Sequence, residues 1–293
     1  MHKAGFVNIV GNPNVGKSTL MNQLVGEKLS IATFKAQTTR HRIMGIVNTE
    51  DTQIVFSDTP GVLKPNYKMQ EMMLQFSESA LADADILLYV TDVVEDPEKN
   101  MDFLEKVSKM SIPVILLINK IDESDQKTLG KLVAKWHGLL PNAEILPISA
   151  KNKFGVDILL KRVHELLPES PAFFDKDQLT DKPAKFFVSE IIREKILRYY
   201  DKEIPYSVEV VVERFKEDDR QIHISAIIYV ERSSQKGIII GHQGMALKKV
   251  STEARKSLER FFDKKIFLET FVKVDKDWRN SQKELKHFGY SPE

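Results

Sequence analysis

The sequence predicts an α/β domain with a mostly parallel six-stranded sheet, followed by a smaller α+β domain. Three observations support this fold class. Short runs rich in Val and Ile alternate with longer amphipathic segments through about residue 168. A proline-containing polar stretch then interrupts this rhythm, and helical and strand patterns resume beyond it in a different order. The 293 residues are enough for two domains, each with its own core.

The first domain is assigned to residues 1–168 and is predicted to contain six strands and five helices. The strands are the apolar runs of strand length, and the helices are segments with a period of about 3.6 residues. The predicted strands are 6–10, 43–48, 53–57, 85–91, 112–118 and 143–148. The predicted helices are 17–25, 68–81, 97–110, 126–139 and 156–167.

Residues 169–184 contain two prolines and short polar residues, so they are predicted to be a linker. The second domain, 185–293, is expected to begin with a helix at about 185–200. Two strands follow at 207–215 and 221–230, and then a glycine-containing turn leads into a helix at about 244–262. A third strand at 266–274 and a closing helix complete the domain. In the 244–262 helix, we expect a stripe of apolar residues to face the core: Leu247, Val250, Ala254, Leu258 and Phe261.

Composition excludes several classes of chemistry. The chain has no cysteine, which removes disulfides, thiol catalysis, thiolate zinc sites and iron–sulfur clusters. Its hydrophobic share of 42% and charged share of 29% are ordinary for a soluble globular protein. The longest apolar runs have the length of a strand, so we predict no transmembrane helix and a cytoplasmic location.

The segment from Gly11 to Ser18 follows the first predicted strand and fits the phosphate-binding pattern G-x-x-x-x-G-K-[ST]. Its glycines allow backbone N–H groups to surround an anion, and the following helix adds its positive N-terminal end. Lys17 can neutralise the outer phosphates, and the Ser18 hydroxyl can bind Mg²⁺. The predicted nucleotide-binding residues of this loop are Gly11, Asn12, Pro13, Asn14, Val15, Gly16, Lys17, Ser18 and Thr19.

A second motif, Asn119-Lys120-Ile121-Asp122, follows the fifth predicted strand and indicates a guanine site. The Asp122 carboxylate could accept both the N1–H and the exocyclic amine of guanine, a donor pair that adenine lacks. We expect Lys120 to pack along the purine and Asn119 to connect this loop to the phosphate loop. Further on, Ser149-Ala150-Lys151 can offer backbone N–H groups to the guanine carbonyl oxygen.

Between these motifs, Asp58-Thr59-Pro60-Gly61 follows the third predicted strand. Asp58 could hold a Mg²⁺ water, and the Gly61 N–H could reach the terminal phosphate. Upstream, Thr38 and Thr39 lie where a hydroxyl could complete the metal shell only when that phosphate is present. The predicted metal ligands are therefore Ser18, Thr39 and Asp58, and residues 30–42 and 58–67 are the predicted switch segments.

These motifs, together with Gln-Thr-Thr-Arg-His at 37–41, resemble the Era family of bacterial ribosome-assembly GTPases, in the translation-factor-related class. The resemblance implies GTP hydrolysis. In Ras-like enzymes a glutamine after the Asp-x-x-Gly motif orients the attacking water, whereas this chain has Val62, so we expect slow turnover. The resemblance also implies a K⁺ ion at Asn14; an unusual loop conformation is the alternative explanation for that residue. The predicted catalytic residues are Lys17, Asn14, Thr39 and Gly61.

The segment Gly241-His242-Gln243-Gly244 matches the G-x-x-G loop with which KH domains clamp single-stranded RNA. The order of predicted elements resembles the type II KH domain of the same family. Residues 232–286 carry 14 basic against 7 acidic side chains, an excess that would attract a polyanion. A helix-capping turn is the alternative. The predicted RNA-binding residues are Gly241, His242, Gln243, Gly244, Lys248, Lys249 and Arg255.

The resemblance implies the 3′ end of 16S rRNA as ligand and the small (30S) ribosomal subunit as partner. It also implies peripheral association with the inner membrane, although the sequence shows no strong amphipathic anchor or lipidation signal. We expect a monomer. Trp278, Phe288 and Tyr290 could stack on bases or anchor the C-terminal helix.

Two other functions remain open from sequence. An RNA-binding module could use nucleotide only as a structural ligand, in which case RNA affinity would not depend on the nucleotide. A P-loop ATPase or nucleotide kinase would share the phosphate loop, but residues 119–122 argue against it.

We predict that Asp122→Asn shifts the base preference from guanine to xanthine nucleotides. The substitution removes a charged hydrogen-bond acceptor, so GDP affinity should fall by about a hundredfold. The asparagine amide can instead donate to the additional carbonyl of xanthine. Calorimetric titration with GDP and XDP measures both affinities, and unchanged GDP affinity in the variant would show that Asp122 does not contact the base.

Overall fold

The computed structural model describes residues 2–33, 35 and 37–291, and the chain divides into two compact units. The first unit contains the residues up to Asn66 together with Gln70–Asp181, and the second contains Lys182–Ser291 together with Tyr67–Met69. Three parts of the predictions lie outside the described residues: Met1 of the predicted first domain, Phe34 and Ala36 of the first switch segment, and residues 292–293 of the predicted second domain.

The first unit contains the predicted mostly parallel six-stranded sheet. The strands are β1 Lys3–Gly11, β2 Ile43–Asn48, β3 Thr52–Asp58, β4 Ile86–Asp92, β5 Val114–Asn119 and β6 Glu144–Pro147. Their order across the sheet is β2-β3-β1-β4-β5-β6, and β2 is antiparallel to its neighbour while the other pairs are parallel. The helices are α1 Lys17–Val25, α2 Lys68–Ala82, α3 Met101–Ser108, α4 Gln126–Leu139 and α5 Val156–Leu166.

The parallel strands end at one edge of the sheet, and this edge carries the polar motifs. In the β1–β3 register Ile9 pairs with Asp58, and in the β4–β5 register Asp92 pairs with Asn119. Ligands of open α/β sheets bind at the carboxyl ends of the strands. The topology therefore places the phosphate loop, the Asp58 loop and the guanine motif side by side.

The segment 169–181, predicted only as a connection, packs onto the sheet of the first unit. The Phe6 and Phe173 rings lie 4.9 Å apart between centroids. The buried Gln53 side chain accepts from the Phe173 N–H at 2.7 Å and the Phe174 N–H at 3.0 Å, and it donates to the Phe174 carbonyl at 2.8 Å. Farther along, the Ile46 N–H donates to the carbonyl of Leu179. The segment thus contacts β1, β2 and β3, partly through hydrogen bonds that its polar composition did not reveal.

The second unit has a three-stranded sheet with helices on it. Its elements are α6 Ala184–Tyr199, β7 Glu209–Glu217, β8 Gln221–Val230, α7 Ser233–Ile240, α8 Met245–Phe262, β9 Lys265–Val274 and α9 Gln282–His287. The strand β8 is central, antiparallel to β7 and parallel to β9. Within the described ranges, no helix combines the length and the hydropathy that crossing a bilayer requires.

Two local predictions in the second unit are wrong. The connection between β8 and α8 is predicted as a glycine-containing turn, but it contains the helix α7, because the Gln235 side chain accepts the N–H groups of Glu231 and Arg232 and so starts a helix. Eight residues are too few for a helical period to show in sequence. In α8 the predicted core residue Phe261 is 41% exposed, and its ring stacks on Phe187 at 5.4 Å between centroids.

We predict that Gln53→Leu destabilises the first unit by about 2–4 kcal/mol, because three backbone groups of the 173–174 segment lose their partners. Urea unfolding followed by circular dichroism measures the loss. The exposed Gln126→Leu substitution at the start of α4 is the matched control and should leave stability unchanged. Equal stability of the two variants would contradict the assigned role of Gln53.

Candidate functional site

The phosphate loop turns between β1 and α1 and is organised around Lys17. The ammonium group is buried and donates to the carbonyls of Gly11 at 3.0 Å and Asn12 at 2.8 Å. Burial lowers the pKa of Lys17 to about 8, and the charges of Asp58 and Glu95 oppose this shift. An arriving phosphate would favour the charged form, so anion binding and lysine protonation support each other.

The three predicted metal ligands lie in direct contact. Ser18 Oγ donates to Asp58 Oδ2 at 2.8 Å, and Thr39 Oγ1 lies 2.8 Å from Ser18 Oγ and 3.2 Å from Asp58 Oδ2. Burial raises the pKa of Asp58, and the charge of Lys17 is the largest of the effects that lower it. Within the described part of the chain, the buried Asp58 Oδ1 accepts no hydrogen bond. A carboxylate beside two hydroxyls is a donor set of hard oxygens, and it fits Mg²⁺.

The second switch segment lies directly on the phosphate loop. A Cβ atom added at Gly61 would come within 2.7 Å of the Pro13 backbone, so this close approach requires glycine. The Val62 N–H donates to the Gly11 carbonyl at 3.0 Å. The Val62 side chain is buried in an apolar cluster with Phe103 and Leu104. The residue after the Asp-x-x-Gly motif, Val62, therefore has an apolar side chain that packs in the core.

Asn119 joins the guanine motif to two other loops. Its Nδ2 donates to the Val15 carbonyl at 2.8 Å, and its Oδ1 accepts from the Ala150 N–H at 2.9 Å. A Cβ at Gly16 would come 2.3 Å from the same Nδ2, and Gly16 has a φ of +96°. This position therefore excludes other residues both by space and by backbone conformation. The structure shows the predicted connection between Asn119 and the phosphate loop.

Asp122 and Lys120 are held by their neighbours. Ser149 Oγ donates to Asp122 Oδ1 at 2.5 Å, and Lys120 Nζ donates to the Asn14 carbonyl at 2.7 Å. The Ser149 N–H, predicted to face guanine, donates instead to the Phe154 carbonyl at 3.0 Å. The Ala150 N–H donates to Asn119. Of the three residues 149–151, Lys151 is therefore the one whose N–H is still a candidate donor to the base.

Asp92 is a site residue that the motif search missed. Its Oδ2 lies 2.5 Å from Lys120 Nζ, and the carboxylate is largely buried. The other oxygen, Oδ1, accepts from the N–H groups of Val94 and Glu95 at 3.0 and 2.8 Å. Asp92 therefore uses one oxygen to shape its own turn and the other to orient Lys120. Its position at the end of β4, on the edge that carries the ligand site, was the available signal.

In the second unit, the predicted RNA-binding loop adopts backbone conformations that favour glycine. Gly241 has φ +71°, and a Cβ there would come 2.6 Å from the Ala246 side chain. Gln243 and Gly244 also have positive φ values of 49° and 76°. His242 and Gln243 are exposed, and α8 begins at Met245 with no side-chain cap on its first turn. The loop thus exposes backbone at a helix N-terminus, where phosphate groups bind well.

The three predicted basic residues do not lie together. Lys248 and Lys249, the fourth and fifth residues of α8, are exposed, and Lys249 Nζ lies 4.5 Å from the centre of the Tyr199 ring. Arg255 is ten residues beyond Met245, which is about 15 Å along a helix. It pairs with Glu259 at 2.8 Å. The structure therefore groups the two lysines with the loop and separates Arg255 from it.

The aromatic residues near the C-terminus anchor the fold. Trp278 and Tyr290 are fully buried. Trp278 Nε1 donates to the Ser207 carbonyl at 3.2 Å, and the Tyr290 hydroxyl donates to Glu209 Oε2 at 2.6 Å. The Phe288 ring packs against Trp278 at 5.4 Å between centroids. Of the two alternatives for these side chains, the structure favours anchoring over base stacking.

Comparison with known sequences finds two family models. One, described as 50S ribosome-binding GTPase, matches residues 6–120, and the other, described as KH domain, matches residues 203–279. Among curated proteins, GTPase Era of Clostridium kluyveri is 44% identical over 99% of this chain and 100% of its own length. GTPase Era of Geobacter sp. (strain M21) is 47% identical over 98% of both chains.

Two solved structures are similar over nearly the whole chain. Era in complex with MgGDPNP and nucleotides 1506–1542 of 16S ribosomal RNA has a TM-score of 0.95 and 37% identity, covering 100% of both chains. A single-residue variant of Aquifex aeolicus Era bound to GDP and AlF₄⁻ has a TM-score of 0.94 and 37% identity, covering 99% of this chain and 100% of that one.

We predict that Asp92→Asn weakens GDP binding by about tenfold, because Lys120 loses a charged partner while the asparagine oxygen can still accept the turn N–H groups. Stopped-flow measurement of GDP release should show the loss as faster dissociation. Asp96→Asn, on the same loop with an exposed side chain, is the matched control. Equal release rates from the two variants would contradict the role of Asp92.

Proposed function

This chain belongs to the Era family of GTPases, and on that premise we propose that it is a guanine-nucleotide switch that binds the 3′ end of 16S rRNA and assists assembly of the small (30S) ribosomal subunit. The GTPase domain would be residues 1–168, the linker 169–184 and the KH domain 185–293. The observation that carries the nucleotide assignment is the double contact of Asn119, which connects the Asp122 loop to the phosphate loop. One ligand with a guanine at one end and phosphates at the other satisfies both loops.

The proposed hydrolysis depends on positioning and charge. Lys17 would neutralise the outer phosphates, and the Gly61 N–H would donate to the terminal phosphate. Mg²⁺ held by Ser18, Thr39 and Asp58 would supply charge stabilisation to the transferring phosphoryl group. Because Val62 is apolar and turned into the core, no side chain at its position orients water. We therefore propose slow intrinsic turnover.

We further propose that Asn14 helps to hold a K⁺ ion beside the phosphates. Asn14 has a left-handed backbone with φ +68°, and its carbonyl already accepts from Lys120. The same left-handed conformation is what the unusual-loop alternative expects for this residue.

Replacing Na⁺ by K⁺ should accelerate GTP hydrolysis by the wild type and leave Asn14→Ala unaffected. Phosphate release in matched chloride buffers measures both rates. Indifference of both proteins to the cation would reject the K⁺ site.

The RNA assignment is supported by the G-x-x-G loop and by the basic excess around it. Gly241–Gly244 would approach the sugar–phosphate chain, and Lys248 and Lys249 would add charge. Arg255 belongs to the proposal only as a more distant contributor, since it is paired with Glu259. The similar Era structure was solved with nucleotides of 16S rRNA, which gives the proposed ligand. We propose a monomer in the cytoplasm, with peripheral contact with the inner membrane.

Crosslinking in cells, followed by sequencing of the bound RNA, should give one ribosomal site for the wild type and lose it for Gly241→Asp. The added carboxylate repels phosphate and does not fit beside Ala246. Gly138→Asp in α4 adds the same charge where a Cβ meets no described atom within 4 Å, so it should keep the site. Retention of the site in both variants would contradict the loop assignment.

If the nucleotide were only structural, RNA affinity would be the same with GDP, a GTP analogue or no nucleotide. A switch instead requires that the ligand distinguish two conformations.

A further inference from the structure

Asn100 stands directly before α3, at the N-cap position, yet its side chain makes no capping hydrogen bond. Asparagine is favoured at this position because its oxygen can accept an N–H of the first turn. Here the side chain points elsewhere. Its Nδ2 donates to the Val62 carbonyl at 3.1 Å and also to Asn12 Oδ1. A residue suited to cap a helix is thus used to connect the phosphate loop to the second switch segment.

The surrounding hydrogen bonds show which of the two side chains, Asn12 or Asn100, is the donor. The Asn12 side chain is buried and donates to the Glu95 carboxylate, which also accepts from Thr91 Oγ1 at 3.1 Å. The Asn12 oxygen accepts from Asn100 Nδ2, which leaves the Asn12 amide nitrogen for Glu95. The Asn100 amide is therefore the donor to both Asn12 and Val62.

Val62 is held on both sides. Its N–H donates to the Gly11 carbonyl, and its own carbonyl accepts from Asn100. The preceding residue, Gly61, lies against Pro13 with no room for a Cβ. The backbone that carries the Gly61 N–H is consequently restrained by the phosphate loop and by Asn100 at the N-cap position of α3.

We propose that Asn100 is a positioning residue for the second switch segment: its amide holds the Val62 carbonyl and so places the Gly61 N–H for the terminal phosphate of GTP. This inference rests on the proposed function. The inference adds to the proposed function a residue that lies outside the nucleotide motifs. That residue, Asn100, would favour binding of the triphosphate over the diphosphate. GDP lacks the terminal phosphate, so its affinity should depend less on Asn100 than the affinity for a triphosphate does.

Two substitutions separate this role from simple helix capping. Asn100→Asp has nearly the same shape, and Asn100→Ser is small; both are good N-cap residues, and neither carries an amide donor. A capping role predicts wild-type behaviour for both. The positioning role predicts that affinity for the GTP analogue GDPNP and kcat for GTP hydrolysis each fall by about tenfold, and that GDP affinity falls less, so that the GDPNP-to-GDP affinity ratio decreases.

Ser281→Ala is the control for a lost cap. Ser281 accepts from the Glu284 N–H at the start of α9, so its removal should lower thermal stability without changing the ratio of GDPNP to GDP affinity. Fluorescence titration of each protein with labelled GDP and GDPNP, together with single-turnover hydrolysis and thermal unfolding, completes the experiment.

A lower GDPNP-to-GDP affinity ratio in the Asp and Ser variants, at wild-type thermal stability, supports the proposal. An unchanged ratio in either folded variant overturns it while leaving the proposed function intact. Failure of the wild type to bind either nucleotide overturns the proposed function, and this inference with it.

Discussion

The nucleotide site depends on one side-chain amide. Asn119 uses both of its polar atoms to connect three loops that are distant in sequence, and Gly16 leaves the space that this contact needs. A methyl group at Gly16 would lie 2.3 Å from the amide nitrogen, too close for both to fit. The separation between the base subsite and the phosphate subsite is therefore set by a buried hydrogen-bonded contact rather than by loop flexibility. The contacts of Asp122, Lys120 and Asp92 depend on that arrangement.

A second constraint lies on the phosphate side of the site. Ser18 and Asp58 both contact Thr39, so the predicted first switch segment lies close to the proposed metal ligands. The second switch segment is held through Gly61 and Val62. Both segments thus meet the phosphate loop through a few polar contacts, and the apolar Val62 side chain adds packing to one of them. A ligand that changes those contacts can bias either segment, which is the physical requirement for a switch.

Most of the fold was predictable because long periodic segments and parallel-strand patterns are strong signals. The bounds of β2, α1, α4 and β8 agree with the sequence prediction to the residue. The helix α7 was missed, since eight residues with an Ile-rich end look like a strand and a turn. The packing of residues 169–181 was also hidden, because it depends on Gln53, a polar residue whose partners lie about 120 positions away.

Site residues that belong to a motif with fixed spacing could be predicted from the sequence. Site residues that come together only through the topology of the fold could not. The phosphate loop and the guanine motif were read directly from their patterns. Asp92 and Asn100 belong to no such pattern; the sheet order brings Asp92 to Lys120, and the α3 position brings Asn100 to Val62. The RNA-binding prediction for Arg255 relied on charge alone and could not foresee its pairing with Glu259.

The central claim is that one site binds the guanine base and the phosphates of the same nucleotide. Calorimetric titration of the wild type with GDP and with ADP, both with magnesium present, tests it most directly. We predict strong binding of GDP and at least about a hundredfold weaker binding of ADP, since adenine cannot donate to Asp122. Equal affinity for the two nucleotides, or no heat with either, would contradict the account.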